Sequence, residues 1–131
     1  MKNKKHLKIV VNSPVVLRFC FLCLAAFIIS SLTEGRANLA IFSVYRASLK
    51  HPMTYVRFFT HILGHASLSH LAGNLMSLLV LGPMLEDRYG SKAILFVILI
   101  TAFVTGLAHF ILFPGTALLG ASGVVFAFIL L

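Results

Sequence analysis

Four long hydrophobic segments constrain this chain more than any other feature of its sequence. They cover about residues 14–32, 68–85 and 93–113, and a fourth opens near residue 118. A helix needs roughly 20 mostly apolar residues to cross a bilayer. The composition agrees, with 60% apolar and only 11% charged residues. We therefore expect an all-α, multi-pass membrane bundle with about four transmembrane segments.

The positive charge of the chain indicates membrane topology rather than nucleic-acid binding. The formal charge is +8, and four of the eleven cations lie in the first eight residues: Lys2, Lys4, Lys5 and Lys8. A basic face interleaved with aromatic residues is absent, so no nucleic-acid partner is expected. Arg88 and Lys92 occupy the second connection, and the positive-inside rule then predicts a cytoplasmic amino terminus. We divide the chain into a basic tail, residues 1–13, and a membrane domain, residues 14–131.

The basic head followed by an apolar segment is also compatible with a secretory signal peptide. No convincing small-x-small cleavage site follows it closely, so we favour a retained helix. The short tail and compact loops suggest a bacterial inner membrane.

The first connection is too apolar for an ordinary solvated loop. Its stretches "NLAIFSVYRASL" and "TYVRFFTHILGH" are predicted to form interfacial helices on the outer face of the membrane.

The fourth hydrophobic segment is short. A helix starting near Gly120 at the outer surface would rise only about 18 Å by residue 131, short of the roughly 30 Å hydrocarbon core. We therefore expect a fragment whose membrane domain is incomplete at its carboxyl end.

Two polar groups inside the hydrophobic segments are candidates for chemistry. His70 and Asn74 stand four residues apart on one helix face. Each alone is explained as well by hydrogen bonding between helices, although intramembrane polar residues are functional candidates by default.

A third candidate is Ser122, which lies between Gly120 and Gly123 in "LLGASGVV". This motif is either a helix-packing device or a nucleophile at a helix amino terminus, where free N–H groups stabilise an oxyanion.

Over roughly residues 55–131, the sequence resembles the rhomboid intramembrane serine proteases. The resemblance rests on "HASLSHLAGNL", on "LGPMLEDRYGSK" and on "GASG", in that order. It implies that Ser122 is the nucleophile, that His70 and Asn74 form the oxyanion hole with the Ser122 N–H, and that Gly120 shapes the turn. It also implies that Glu86 and Arg88 fix the cytoplasmic connection, and that Arg57 belongs to the family's interfacial first loop.

The resemblance further implies an endopeptidase that cleaves transmembrane proteins near the outer membrane face. Its general base would be a histidine on a sixth helix, which this chain does not contain, so the 131 residues alone are predicted to be inactive. No metal or organic cofactor is implied.

Several alternatives compete with this interpretation. His109 could act as the base, and His61, His65 and His70 could bind a metal, although the acids that commonly accompany such ligands lie elsewhere. A further interpretation is a small transporter that uses these histidines. We expect His61 and His65 instead to hydrogen-bond backbone groups, and Cys20 and Cys23 to be apolar packing residues. The main rival function is an inactive rhomboid-like protein that binds transmembrane helices without cutting them.

Overall fold

The computed structural model describes residues 12–131. Most of the predicted basic tail, including Lys2, Lys4, Lys5 and Lys8, therefore lies outside the described residues. The described part contains six α-helices and one 3₁₀ turn, His61–Leu63, which follows the third helix. The α-helices are α1 (Pro14–Leu32), α2 (Arg36–Ala40), α3 (Pro52–Thr60), α4 (Leu68–Tyr89), α5 (Ser91–Leu112) and α6 (Ser122–Leu130).

Within residues 12–131, three helices are long and apolar enough to cross a membrane, namely α1, α4 and α5. This confirms the all-α bundle and the predicted bounds of α1. Helix α4 continues four residues beyond the predicted end at residue 85 and ends at Tyr89, because the next residue, Gly90, has a φ of 88°. Helix α5 ends at Leu112, two residues before Pro114.

The helices cross where small residues allow close approach. A Cβ added at Gly82 would lie 2.5 Å from Val16 Cγ1, so α4 can pack this closely against α1 only with glycine at this position. A Cβ at Gly106 of α5 would lie 2.9 Å from the Phe58 carbonyl oxygen. The bundle has two ends, which we name by what they carry. The first-loop end carries residues 33–67 and 113–121, and the Gly90 end carries residues 12–13 and 89–91.

A buried carboxylate organises the Gly90 end. Glu86 is only 3% exposed. Its Oε1 accepts from the Val15 N–H at 2.9 Å and from the Ser91 hydroxyl at 2.7 Å, and its Oε2 accepts from the Val16 N–H at 3.0 Å. Glu86 thus caps α1 from 70 residues away and ties it to the α4–α5 junction. Arg88 makes a different contact, with its guanidinium over the Tyr89 ring.

The first loop differs from the prediction. Only three residues of the stretch 38–49 belong to a helix, because α2 ends at Ala40. The rest is irregular, and Val44 forms an antiparallel bridge with Leu118, with hydrogen bonds of 2.9 Å in both directions. The prediction of an interfacial helix over residues 38–49 is therefore wrong, since pairing with a segment far along the chain fixes the backbone there. The second stretch is helical as predicted, forming α3 and the 3₁₀ turn.

Two arginines attach the first loop to the helices. Arg57 is buried, its Nε donates to the Ala40 carbonyl at 2.9 Å, and its guanidinium lies over the Tyr45 ring. Arg46 donates to the Phe110 and Ile111 carbonyls, each at 2.9 Å. These carbonyls lie in the last turn of α5, where no backbone donor is available. The loop is therefore packed onto the bundle rather than lying separately beside it.

Candidate active site

The two sequence motifs singled out for chemistry meet at the first-loop end. Gly120 has a φ of 123°, in the left-handed region that favours glycine, and a Cβ there would lie 2.8 Å from His70 Cε1. The His70 imidazole therefore packs directly against the backbone two residues before Ser122. The Gly120 N–H donates to the His61 carbonyl at 2.8 Å, which anchors the same turn to the 3₁₀ turn.

Asn74 lies one turn below His70, on the face of α4 that packs against the rest of the bundle. That face carries Leu71, Leu78 and Gly82, all buried, and Asn74 itself is only 8% exposed. Its side-chain Nδ2 lies 2.9 Å from His65 Nε2. An amide nitrogen carries two hydrogens, so Asn74 keeps a second donor after this bond. Helix α4 itself begins after Ser67, whose hydroxyl accepts from the His70 N–H at 3.2 Å.

His65 joins the two motifs, and this is the contact that sequence reasoning missed. Its Nδ1 donates to the Leu63 carbonyl at 3.2 Å, which leaves Nε2 as an acceptor. That one nitrogen accepts from Asn74 Nδ2 and, at 3.3 Å, from the Ala121 N–H. The bond to loop backbone at Leu63 was predicted. The link to Asn74 and Ala121 was not, because periodicity carries no sign of a contact that spans 56 residues.

Burial keeps His65 in the neutral form that this arrangement requires. The side chain is only 1% exposed. Burial lowers the pKa of His65, an effect opposed by its bond to Leu63 and reinforced by the neighbouring His70. The His65 and His70 rings lie 5.0 Å apart, with an interplanar angle of 64°. A protonated Nε2 could not accept from either Asn74 or Ala121, so the neutral ring is the one that holds the site together.

Ser122 is the first residue of α6, and its side chain is exposed. Ala121, the residue before Ser122, donates its N–H to His65 Nε2, and the Asn74 side chain donates to the same nitrogen. Helix α6 therefore begins at about the level of Asn74. Asn74 lies six residues into α4, or about 9 Å along its axis. The expectation that the fourth helix starts at the outer surface stays a prediction. The Tyr89 hydroxyl also donates to the Leu131 carbonyl at 3.2 Å, so α6 extends towards the Gly90 end.

Gly123 faces α5 rather than α4. A Cβ added there would lie 3.6 Å from Thr105 Cγ2 and 3.8 Å from Thr101 Cγ2, which is ordinary van der Waals contact. The packing of α5 and α6 therefore does not itself require glycine at position 123.

The remaining candidate histidines are engaged elsewhere. His61 is buried, and its Nε2 donates to the Ala102 carbonyl at 2.9 Å, which attaches the 3₁₀ turn to α5. Burial lowers its pKa, against a raising effect of the Ala102 bond. His109 Nε2 lies 3.1 Å from the Thr116 carbonyl and 3.2 Å from its hydroxyl, so it holds residues 113–116. In residues 12–131, no cluster of three or more His, Cys, Asp or Glu side chains is placed to hold a metal ion.

The arrangement collects hydrogen-bond donors around the start of a helix. The backbone N–H groups in the first turn of α6 have no partner within the helix, and the helix dipole favours negative charge there. His70 and Asn74 add side-chain donors from α4. Donors of this kind, held in fixed positions where negative charge develops, stabilise an oxyanion that forms during a reaction.

Comparison with known proteins gives concordant matches. A family model described as "Rhomboid domain" matches residues 52–131. The chain is similar to Rhomboid protease GlpG of Enterobacter sp. (strain 638), with 31% identity over 115 residues, 87% of this chain and 41% of that protein. It is similar to Rhomboid protease GlpG of Yersinia pestis (strain Pestoides F), with 31% identity over 114 residues, 87% of this chain and 40% of that protein. The chain thus spans about two fifths of the length of these relatives.

Proposed function

The chain belongs to the rhomboid family of intramembrane proteases, and we propose that the intact protein is a multi-pass serine endopeptidase that cleaves transmembrane proteins. Its nucleophile is Ser122. The observation that carries the proposal is the convergence of His70, Asn74 and the Gly120–Ala121 backbone, since packing motifs alone would not bring two polar groups of α4 to the start of α6.

In the proposed reaction, Ser122 Oγ attacks the carbonyl carbon of the scissile peptide bond while a base takes its proton. The negative charge that develops on the carbonyl oxygen is stabilised by the His70 ring N–H, the Asn74 amide and the Ser122 backbone N–H. The carbon–nitrogen bond then breaks, and the base returns the proton to the leaving amine. Water releases the acyl group from Ser122 in a second step.

The general base in this proposal is a histidine from a part of the intact protein outside these 131 residues. A serine hydroxyl is a weak nucleophile without such a base. His61, His65 and His109 are held by other hydrogen bonds, and His70 is assigned to the oxyanion. We therefore propose that the chain of 131 residues does not cleave peptides by itself.

The level of Ser122 supports cleavage inside the membrane. Helix α6 begins at the level of Asn74, about 9 Å along α4 from Leu68. A substrate helix must therefore unwind locally and enter from the first-loop end, where Ser67 and Ser69 are exposed. We place this end on the outer face of a bacterial inner membrane and the amino terminus in the cytoplasm.

Labelling of the intact protein with a serine-reactive fluorophosphonate tests the proposal. We expect one labelled site and cleavage of a transmembrane substrate, both abolished in Ser122→Ala. Asn74→Ala should still be labelled at Ser122, but more slowly, and should lose roughly two to three orders of magnitude in kcat, the usual effect of removing one oxyanion donor. Ser77→Ala, a hydroxyl on α4 bonded to the Gly73 carbonyl, is the matched control and should remain active. Absence of labelling in the intact protein would favour the non-proteolytic rival that only binds transmembrane helices.

A further inference from the structure

One crevice of the bundle shares no lining residue with the candidate active site and has no role in the proposed proteolysis. It lies between α1 and α5, beneath the 3₁₀ turn, and has a volume of about 400 Å³. Its walls are apolar, and the side chains along its rim are open to the surroundings of the protein. They include Leu22, Phe59, Leu95 and Leu99.

The crevice contains one charged group, Arg18. This side chain lines the crevice and is exposed. Among residues 12–131 it makes no hydrogen bond or ion pair: Glu34 pairs with Arg36, the Glu86 carboxylate caps α1, and Asp87 lies within ion-pair distance of no basic side chain. Residues 1–11 contain no Asp or Glu that could neutralise it. A guanidinium therefore stands at the mouth of an apolar crevice without a protein anion.

The position of Arg18 along α1 fits the boundary between lipid tails and headgroups. It lies four residues, or about 6 Å, beyond Pro14 at the start of the helix. An arginine at this depth directs its guanidinium toward the headgroup layer while its methylene groups stay against apolar surface. The lipid phosphate lies in that layer, and a guanidinium binds phosphate oxygens in a bidentate geometry.

We propose that the crevice binds one phospholipid with an anionic headgroup, from the leaflet that faces the amino terminus of α1. One acyl chain fills the space between α1 and α5, and Arg18 binds the phosphate. Lipid tails are as apolar as the crevice walls, so burial of apolar area gives little preference within a bilayer. The preference for anionic lipid comes from Arg18, because a cation near the membrane surface attracts anionic headgroups.

Native mass spectrometry of the intact protein tests this site. The protein is equilibrated in detergent with equal amounts of phosphatidylglycerol and phosphatidylcholine that carry the same acyl chains. We expect one retained lipid, with phosphatidylglycerol favoured roughly fivefold, the factor associated with one cation near a membrane surface. Arg18→Gln should abolish the preference. Arg36→Gln, which removes an exposed cation at the first-loop end, should leave it unchanged.

A second variant tests the crevice itself. Leu22→Trp places a larger side chain at the rim and should reduce retention of both lipids, while Leu32→Trp, at the exposed end of the same helix, should not. Equal retention of the two lipids by the wild type, or an unchanged preference in Arg18→Gln, would overturn the proposal. Retention of neither lipid, as expected if another part of the intact protein covers the crevice, would overturn it as well. None of these outcomes depends on the proteolytic activity of Ser122.

Discussion

At the scale of single residues, the site depends on a histidine that takes no part in the proposed chemistry. His65 Nε2 accepts from Asn74 and from the Ala121 N–H, so it fixes the amide of α4 relative to the start of α6. It is a positioning residue. Its replacement by an apolar side chain would leave two buried donors without an acceptor, which is costly in a dry environment.

His65 should also make stability depend on pH. Burial holds its folded-state pKa below the ordinary value of about 6.5, so the unfolded chain takes up a proton first as the pH falls. The free energy of unfolding is then complete above about pH 6.5 and decreases as the pH falls below that value towards the folded-state pKa. We expect the thermal midpoint of the intact protein to fall as the pH is lowered below about 6.5, and to fall less in His65→Gln.

His51→Gln is the control for this measurement, because His51 is exposed at the amino terminus of α3. It should reproduce the wild-type pH dependence.

Enzyme kinetics distinguish a residue that positions the site from one that only stabilises the fold. His65→Leu should lower kcat with little change in KM. His65→Gln, whose side-chain oxygen can accept a hydrogen bond, should recover part of the lost kcat. Identical pH dependence in wild type and His65→Gln would contradict the role assigned to His65.

At the scale of elements, the long helices were predictable and the first loop was not. Helices α1, α4 and α5 follow largely apolar segments. Gly90 directly follows the end of α4, and Pro114 lies two residues beyond the end of α5, so these signals are local in sequence. The irregular course of residues 41–51 depends on the pairing of Val44 with Leu118, and the site depends on the pairing of His65 with Ala121. Such contacts join segments more than 50 residues apart, so no local pattern contains them.

Glu86 provides the prediction that belongs to the elements. Glu86→Ala removes the acceptor of the Val15 and Val16 N–H groups at the start of α1 and of the Ser91 hydroxyl. A hydrogen bond to a charged group contributes about 1.5–3 kcal/mol, so we expect a loss of at least about 2 kcal/mol in the free energy of unfolding. Denaturation in mixed micelles measures this loss.

The neighbouring Asp87→Ala serves as the matched control, because Asp87 is exposed. Substitutions at such surface positions usually change stability by less than about 0.5 kcal/mol. Equal effects of Glu86→Ala and Asp87→Ala would show that the capping of α1 by a carboxylate does not stabilise the fold.

At the scale of the whole molecule, cleavage near the outer membrane face requires the two ends of the bundle to face opposite sides of the membrane. The first-loop end carries the candidate site, and the Gly90 end carries the Glu86 cap with Arg88 and Lys92 nearby. From the positive-inside rule we expect the Gly90 end to lie in the cytoplasm. The candidate nucleophile then opens toward the outer face.

Cysteine labelling tests this orientation. In a background with Cys20→Ala and Cys23→Ala, single cysteines are introduced by Glu34→Cys at the first-loop end and by Asp87→Cys at the Gly90 end, both at exposed positions. A membrane-impermeant maleimide added to intact cells should label the first and not the second. The Asp87→Cys protein should react only after permeabilisation, and the reverse pattern would refute the predicted topology.

The central claim is that Ser122, His70 and Asn74 act on one carbonyl group, and an experimental structure of the intact protein bearing a fluorophosphonate adduct tests it most directly. The phosphonyl oxygen of such an adduct takes the place of the oxyanion. We predict a covalent bond to Ser122 Oγ, with this oxygen about 2.7–3.1 Å from donors on His70, Asn74 and the Ser122 N–H. An adduct on another residue, or an adduct on Ser122 whose oxygen points away from His70 and Asn74, would contradict the account.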